Sequence, residues 1–334
     1  MTVPNVISFN GRTGAVLPQI GDYSLSQITG SIPPQGRLTL ASGISVMDAS
    51  VSGSTTVYYT PYSGLYAPIW NGSTFMINNF GGELSQGISD TTKSPAATVA
   101  SSVYDMFLWL DGSTYRCTRG PAWTSLTARG TGAGTTQLTL TQGVQVNANA
   151  ITHGPAAGYG TYVGSIGTNG SNTVDFIWGG SGSSGAQANL MCWNCYNRVD
   201  VTANIQDNGA SYTYTSNTPR LARSSFGNTC YFLSGLSEDG FSAVYMPSLQ
   251  TAAAAGANFS VGVGVDTTSG FSAPANMFFI NQASFATTVE VPIAGLWGAP
   301  TGVHYVAAVE AGDNTNANTF NYYSNNNLTF RFKM

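Results

Sequence analysis

Short segments in which apolar and polar residues alternate make up most of this chain, and turn residues separate them. Residues 37–40 and 57–60 show this alternation and are rich in residues that favour strands. Residues 104–110 instead form a nearly continuous apolar run that ends at Asp111-Gly112. A run this short, closed by turn residues, predicts a central strand that is buried on both faces and turns into its neighbour at residues 115–117. A helix is the competing interpretation of the run.

The strongest hairpin signal is Asn71-Gly72, which lies between the strand-forming segments 69–70 and 74–77. Further candidate strands follow, separated by Gly, Asn and Ser turns: residues 137–146, 162–166, 174–178, 190–201, 230–233, 241–246, 259–265, 276–280, 289–292, 304–309 and 328–332. This spacing predicts an all-β fold built from β-sandwich or jelly-roll domains. The one helical candidate is the segment 248–257.

Changes of pattern divide the chain into three parts. Residues 1–35 form an extended segment that closes with Pro33-Pro34, which predicts a stiff, polyproline-like joint. Residues 36–135 are predicted to be a first β domain and residues 136–334 a C-terminal β-sandwich domain. The alternating glycines of residues 129–136 mark the boundary between them.

Charged residues are scarce, which changes the expectation for the surface. They make up only 8% of the 334 residues, against about 25% in a typical globular protein. Large uncharged areas of this kind are best hidden between subunits, so we expect an obligate homotrimer. The net charge of −4 provides no basic stripe and argues against nucleic-acid binding. The chain has neither an apolar run of roughly 20 residues nor a signal peptide, so we expect synthesis in a cytoplasm without membrane insertion.

The four cysteines, Cys117, Cys192, Cys195 and Cys230, are therefore expected to be reduced when the protein is made. Cys192 and Cys195 have the spacing of a redox motif, but no βαβ pattern surrounds them. A zinc site is the weaker alternative, since both histidines are distant in sequence. We expect buried thiols and neither a metal nor a cofactor.

Catalytic patterns are weak. A histidine base would have to be His153, in a turn, or His304, at the start of a strand. The Gly-Ser-rich residues 179–185 could contain a nucleophile elbow, but a flexible low-complexity loop is the favoured interpretation. The glycines of residues 129–136 lack the lysine of a phosphate-binding loop. We therefore predict that the chain is not an enzyme.

Cleavage of a polysaccharide would require a pair of acidic residues. Glu238-Asp239 is the adjacent pair, and a solvated loop is its favoured interpretation. Asp105 lies in an apolar strand, where a carboxylate needs a partner, and Arg116 or Arg119 is the expected one. Asp313 lies among asparagines that could bind calcium, but its surroundings favour a loop between strands.

Aromatic residues give the only positive binding signal. Sugar-binding surfaces use exposed aromatic faces with amide side chains nearby, although packing is the more frequent role of aromatics in β proteins. The candidates are Tyr58, Tyr59, Tyr62, Tyr66 and Trp70 in one region, and Tyr212, Tyr214, Tyr322 and Tyr323 in others.

The N-terminus has a distinctive series of residues. Asn10-Gly11 and Thr13-Gly14 are turn dipeptides, and Arg12 between them offers a planar fork of donors. The segment cannot form a core, so it would become ordered by lying on another protein; a disordered leader is the alternative. The series resembles the head-proximal segment of many bacteriophage fibre proteins. That resemblance implies a virion-anchoring role for Phe9, Asn10, Gly11, Arg12, Thr13, Gly14, Ala15, Val16, Asp22 and Tyr23.

Residues 58–62, 129–138 and 193–198 resemble segments of phage and prophage fibre or virion-surface proteins. The resemblance implies a β-rich, trimeric virion component without a defined chemistry. We expect a short tail fibre, or a head or collar fibre, located in the virion. It is expected to associate with further copies of itself as a homotrimer, with other phage virion proteins and with a host-surface glycan. The alternatives are a capsid cement protein without an external ligand and a polysaccharide-degrading tail-associated enzyme.

Overall fold

The computed structural model describes residues 32–334, and strands dominate it. The strands in the first part are β1 Gly36–Thr39, β2 Val51–Ser54, β3 Thr56–Pro61, β4 Tyr66–Trp70, β5 Phe75–Asn79, β6 Leu84–Gly87, β7 Val103–Asp111, β8 Thr114–Ala122, β9 Leu138–Thr141 and β10 Val144–Asn147. They are followed by β11 Thr161–Gly167, β12 Val174–Ile177, β13 Gly179–Gly182, β14 Ala188–Leu190, β15 Cys192–Asn194, β16 Asp200–Asp207, β17 Tyr212–Tyr214, β18 Arg220–Leu221 and β19 Thr229–Ser234. The last are β20 Gly240–Met246, β21 Ser248–Gln250, β22 Asn258–Val265, β23 Asn276–Ile280, β24 Thr288–Glu290, β25 Ile293–Gly298, β26 Gly302–Ala311, β27 Asn318–Phe320 and β28 Asn326–Lys333.

Within residues 32–334 the strands form six sheets. The largest has eight strands in the order β2-β12-β14-β19-β26-β22-β23, with β18 also paired to β26. A five-stranded sheet has the order β13-β16-β28-β20-β25, and a six-stranded sheet has the order β8-β7-β11-β10-β9, with β15 also paired to β11. Smaller sheets are β1-β3-β6, β17-β27-β21-β24 and β4-β5. Most pairs are antiparallel, while β13 with β16 and β14 with β19 are parallel.

The eight-stranded and five-stranded sheets pack face to face through aromatic side chains. The ring of Phe232 on β19 lies 4.9 Å from that of Phe241 on β20 and 4.8 Å from that of Phe330 on β28. All three side chains are almost fully buried. The predicted all-β fold is therefore confirmed. Within residues 32–334, no helix has the length and apolar character needed to cross a membrane.

Two local predictions are confirmed. Strand β7 has neighbours on both sides and is buried along most of its length, and it turns through Asp111 and Gly112 into β8. Strands β4 and β5 form the predicted hairpin, in which Trp70 pairs with Phe75. The Oδ1 atom of Asn71 accepts hydrogen bonds from the backbone N–H groups of Ser73 and Thr74 and so closes the turn.

The helix predicted over residues 248–257 is wrong. The segment begins as strand β21 and continues as a turn. The side-chain amide of Asn281 donates to the carbonyl oxygens of Ala252 and Ala254, and the Oδ1 atom of Asn318 accepts from the N–H group of Ala252. Side chains distant in sequence thus take the backbone groups that a helix would have paired internally.

The segment 190–201, predicted as one strand, is divided among three sheets. Leu190 ends β14 in the eight-stranded sheet, β15 pairs with β11, and β16 begins at Asp200 in the five-stranded sheet. The side-chain amide of Asn194 binds both the N–H and the carbonyl oxygen of Leu38, which fixes one crossing of the chain. Residues 137–146 are likewise two strands, β9 and β10, with a turn at Gln142 and Gly143, both in the left-handed region.

The Gly-Ser-rich segment 179–185, predicted to be a flexible loop, contains strand β13, which pairs with β16. The division at residues 135 and 136 stays a prediction. Strands from its two sides, β7 and β11, pair in one antiparallel ladder.

Candidate functional site

The predicted anchor residues, from Phe9 to Tyr23, lie outside the described part of the chain, so their role stays a prediction. The described chain begins just before the predicted joint. Pro34 is buried, and its carbonyl oxygen accepts a hydrogen bond of 2.8 Å from the Nδ2 atom of Asn197. The second proline of the joint therefore packs on the β body.

The cysteines are free and buried, as predicted. Burial raises the pKa of the Cys192 and Cys195 thiols to about 12, and it raises the pKa values of Cys117 and Cys230 as well. Thiols held in this protonated state are unreactive. Within residues 32–334, no group of three or more His, Cys, Asp or Glu side chains is placed to hold a metal ion.

Asp105 is fully buried, but its predicted partners are wrong. Its carboxylate is bound by Arg129, with Nε 2.6 Å from Oδ2 and Nη2 3.0 Å from Oδ1. The hydroxyl groups of Thr136 and Ser165 also donate to it, at 3.1 and 2.6 Å. Arg129 further donates to the carbonyl oxygen of Gly235 at 2.6 Å. This saturated network has a structural role, because it ties loops to strands β7 and β11.

The strand register explains why the expected arginines do not reach Asp105. Arg119 pairs with Met106, the residue after Asp105, so its side chain lies on the other face of the sheet. It donates instead to the carbonyl oxygens of Ile88 and Asp90. Arg116 lies further along β8, and its Nε donates to Asp111 at 2.7 Å.

The remaining acidic candidates also have structural partners. Arg198 bridges Glu238 at 3.0 Å and Asp239 at 2.5 Å. Asp313 accepts backbone N–H bonds from Asn258, Thr315 and Asn316, which hold the loop between β26 and β27. Burial is the largest single influence and raises the pKa of Asp313, but the hydrogen bonds from Asn316, Asn258 and Thr315 together outweigh it and lower the pKa to about 2.

The two histidines occupy the positions that the sequence predicted. His153 lies in a turn, where its Nδ1 atom is 2.9 Å from the carbonyl oxygen of Thr91. His304 lies in β26, with Nδ1 2.7 Å from Oδ2 of Asp266 and Nε2 3.2 Å from the carbonyl oxygen of Thr301. Both partners of His304 are acceptors, which favours the imidazolium form.

The aromatic residues named from the sequence do not form one surface. Tyr59 is buried, and Trp70 packs edge-on against Phe75. Tyr212 and Tyr214 pack against Phe320. Tyr322 and Tyr323 are exposed and contact each other, with ring centroids 4.8 Å apart.

A different set of residues forms an uncharged cleft on the outer face of the eight-stranded sheet, with a volume of about 390 Å³. We call it the amide cleft. Its lining residues are Ser101, Leu126, Asn169, Gly170, Gln187, Asn189, Met191, Phe226, Tyr231 and Val303. None of these side chains carries a charge, and the set combines aromatic, aliphatic and amide groups.

Strand periodicity places these side chains on one face. Along β14 and its flanks, Gln187, Asn189 and Met191 alternate with the buried Ala188 and Leu190. On β19, which pairs with β14, Tyr231 lies between the buried Cys230 and Phe232 and opposite Asn189. Ala188, Leu190, Cys230 and Phe232 belong to the sandwich core. Gln187, Asn189 and Tyr231 are left to line the cleft, together with Met191, which is itself almost fully buried.

Two amide side chains in the cleft are held in a fixed orientation. The Nδ2 atom of Asn189 is 3.3 Å from the carboxylate of Asp175. The Nε2 atom of Gln187 donates to the carbonyl oxygen of Phe226 at 3.2 Å and to Oγ1 of Thr229 at 2.9 Å. A carboxylate and a carbonyl can only accept, so the amide nitrogens must face them. The Oδ1 of Asn189 and the Oε1 of Gln187 have no hydrogen-bond partner within residues 32–334.

Asp175 holds the amide side chains of the cleft in place through hydrogen bonds. It is almost fully buried, and it also accepts hydrogen bonds of 2.7 Å from the side-chain amide of Asn169 and from the N–H group of Gly53. One carboxylate therefore orients two of the amides that line the cleft.

Phe226 forms an exposed aromatic wall, since 59% of its surface is accessible to solvent. It begins the 3-10 turn Phe226–Asn228, and its carbonyl oxygen also accepts from Oγ1 of Thr229 at 2.6 Å. The next residue is Gly227, where a Cβ atom would lie 2.3 Å from the carbonyl oxygen of Ser184. Only glycine permits this close approach of two backbone segments.

The backbone before Phe226 is strained and held by buried charges. Arg223 and Ser224 have φ angles of 56° and 52°, in the left-handed region. The N–H group of Arg223 donates to Oε1 of Glu310 at 3.2 Å, and its Nε donates to Asp207 at 2.7 Å. Burial raises the pKa of Glu310 to about 7. This network fixes the turn that presents Phe226.

The amide cleft is suited to a neutral, partly apolar ligand that donates hydrogen bonds, which is the chemistry of an uncharged sugar. Sequence reasoning missed it, because no aromatic residue singled out from the sequence lines it. Its only local signal was the alternation of Gln187, Asn189 and Met191 with small or apolar residues. Phe226, Leu126 and Val303 come from distant segments that only the fold brings together.

No protein-family model matches the chain, and no match was found among curated proteins. Solved structures give weak likenesses. A β-porphyranase of glycoside hydrolase family 86 from Bacteroides plebeius has 9% identity and a TM-score of 0.23, over 70% of this chain and 30% of that one. Latent PorU from Porphyromonas gingivalis has 9% identity and a TM-score of 0.27, over 74% and 21%. An exo-β-1,3-galactanase from Phanerochaete chrysosporium has 11% identity and a TM-score of 0.17, over 85% and 56%. This chain thus spans well under two thirds of each of these proteins, and TM-scores this low carry no argument about fold or function.

Proposed function

We propose that this chain is a structural protein of a bacteriophage virion, a short tail fibre or a head or collar fibre, that attaches to a neutral glycan on the host surface. The amide cleft is the observation that carries the proposal. It joins an exposed aromatic wall to two fixed carbonyl acceptors, without any charged lining residue. Sugars bind such surfaces by stacking their C–H faces on aromatic rings while their hydroxyl groups donate hydrogen bonds.

The N-terminal segment supports the virion assignment through its resemblance to fibre anchors. Arg12 would bind carboxylate or carbonyl groups of a virion protein, and Phe9 would enter an apolar pocket. The scarcity of charge supports assembly with neighbouring subunits, because only 8% of the residues are charged.

Self-association as a trimer belongs to the same proposal. Exposed apolar side chains, among them Phe278, Ile280 and Phe285, lie on and beside the edge strand β23. An uncovered apolar edge favours contact with another chain. Light scattering on the purified protein is expected to give three times 34.8 kDa. A monomer at micromolar concentration would remove the trimer from the proposal.

The virion assignment is tested by incorporation of tagged variants into particles grown without the wild-type protein. A chain that lacks residues 1–30 is expected to fold and to be absent from particles, because Pro33-Pro34 separates the anchor from the β body and so short a segment adds no core of its own. Arg12→Ala is expected to weaken docking by roughly 2–5 kcal/mol if its fork is buried against a partner. Gln19→Ala is the matched control in the same segment and is expected to be incorporated normally. Normal incorporation of the truncated chain would overturn the anchor.

Two further experiments distinguish the proposed fibre from a capsid cement protein and from a polysaccharide-degrading enzyme. A cement protein would be incorporated but would leave adsorption to the host unchanged when the amide cleft is altered. A polysaccharide-degrading enzyme would shorten host polysaccharide during incubation with the purified chain.

A further inference from the structure

We infer that the amide cleft selects sugars that carry an acetamido group, with the carbonyl oxygens of Gln187 and Asn189 accepting hydrogen bonds and the apolar side chains beside them receiving the acetamido methyl group. This inference rests on the proposed glycan binding and names its ligand class.

The first step is the polarity of the fixed groups. Both N–H groups of the Gln187 amide are taken by Phe226 and Thr229, and one N–H group of the Asn189 amide is taken by Asp175, so Oε1 of Gln187 and Oδ1 of Asn189 are the acceptors that these side chains offer. A ligand must therefore bring donors to these positions. The N–H group of an acetamido substituent is such a donor, and a neighbouring ring hydroxyl can supply the second one.

The second step is the apolar surface next to these oxygens. Val303 lies opposite Leu233 on the adjoining strands and is half-buried, whereas Met191, on the same face as Asn189, is almost fully buried and offers little surface to a ligand. Leu126 completes this end of the cleft, and its carbonyl oxygen accepts the N–H of Val303 at 2.9 Å. A methyl group gains binding energy here, whereas the hydroxyl group of an unsubstituted hexose would leave the surface unfilled.

The third step is charge. No lining side chain is a cation that could pair with a carboxylate or a sulfate group. The buried carboxylate of Asp175 lies directly behind Asn189, where it disfavours a negatively charged sugar. The lining thus favours a neutral sugar, and its apolar end favours an N-acetylated one.

The experiment uses the full chain and three matched pairs of methyl glycosides: N-acetylglucosamine with glucose, N-acetylgalactosamine with galactose, and N-acetylmannosamine with mannose. Within each pair only the substituent at C2 differs. Saturation-transfer NMR detects binding, and titration gives the affinities. In at least one pair the acetamido sugar is expected to bind about fourfold more tightly, the gain for one buried methyl group. The acetamido methyl protons are expected to receive the strongest saturation.

Variants assign the binding to the cleft. Asn189→Ala removes one acceptor and is expected to reduce the difference within the preferred pair, whereas Gln250→Ala, at a half-buried glutamine on β21, is expected to leave it unchanged. Leu126→Ser tests the apolar end without touching either amide and is expected to reduce the same difference. Circular dichroism establishes that each variant is folded.

Two negative results have different meanings. Equal affinity within all three pairs, with binding still lost in Phe226→Ala, would overturn the acetamido selectivity and leave glycan binding at the cleft intact. Absence of saturation transfer to any of the six sugars would overturn the proposed glycan binding itself, and the present inference with it.

Discussion

The Nε atom of Arg129 lies 2.6 Å from Oδ2 of Asp105, and the pair joins a glycine-rich loop to the central strand β7. Asp105 is fully buried, and the guanidinium group of Arg129 also lies 4.2 Å from the ring of Trp123. A buried carboxylate needs this neutralisation, because removal of one partner leaves an uncompensated charge.

Replacement of Arg129 is therefore expected to destabilise the fold strongly. Arg129→Met should lower the free energy of unfolding by about 3–5 kcal/mol, as measured by urea denaturation. Arg331→Met is the matched control, because its ion pair with Asp200 is largely exposed and should contribute about 0–1 kcal/mol. Equal effects of the two substitutions would contradict the structural role of the Asp105–Arg129 pair.

The close approach at Gly227 gives a prediction about the amide cleft. Gly227→Ala places a Cβ atom against the carbonyl oxygen of Ser184, so the turn must move and displace Phe226. We expect a loss of about 1–3 kcal/mol in stability and weaker sugar binding. Ser224→Gly is the control, because glycine accepts the left-handed φ at that position. Unchanged sugar binding in Gly227→Ala would contradict the role of Phe226 as a wall of the cleft.

His304 provides a prediction about pH. Burial alone would lower its pKa, but the hydrogen bond and charge of Asp266 raise it above the ordinary value of 6.5. Its contribution to stability is therefore fully present below about pH 6.5 and is lost as the pH rises through the folded-state pKa. NMR titration should show His304 titrating above pH 6.5, and Asp266→Asn should lower the midpoint. His153→Gln assigns the two histidine signals. A midpoint that does not move in Asp266→Asn would refute this coupling.

We expect the four cysteine thiols to be unreactive in the folded protein. All four thiols are buried, and burial raises their pKa values. A thiol reagent such as dithiobis-nitrobenzoic acid should label none of them in the folded protein and all of them in urea. Rapid labelling of Cys195 before unfolding would show that the segment after β15 opens in the native state.

The elements that could be predicted from the sequence depend on local patterns. Strand β7 and the hairpin at Asn71 are defined by continuous apolar residues and turn chemistry, and both are present. The prediction of a helix over residues 248–257 is wrong because the side chains of Asn281 and Asn318, which are distant in sequence, bind the backbone groups of this segment. The predicted partner of Asp105 is wrong for the same reason, because the arginine that binds it, Arg129, comes from a loop and not from the adjacent strand.

Apart from the alternation along β14, no local pattern in the sequence indicates the amide cleft. Its walls come from the turn at Phe226, the loop at Leu126 and strand β14, which no periodicity in the sequence connects. The orientation of Asn189 depends on the carboxylate of Asp175, which lies on a neighbouring strand. Tertiary contacts of this kind decide which polar atoms remain available to a ligand.

We propose that this chain is held to a virion by its N-terminal segment and presents the amide cleft to the host. Electron cryomicroscopy of intact particles tests it most directly, by locating the chain and its orientation. We expect residues 1–30 to contact another virion protein, and Phe226 and Asn189 to lie on the side that faces away from the particle. Absence of the chain from purified particles, or an amide cleft covered by a neighbouring virion protein, would contradict it.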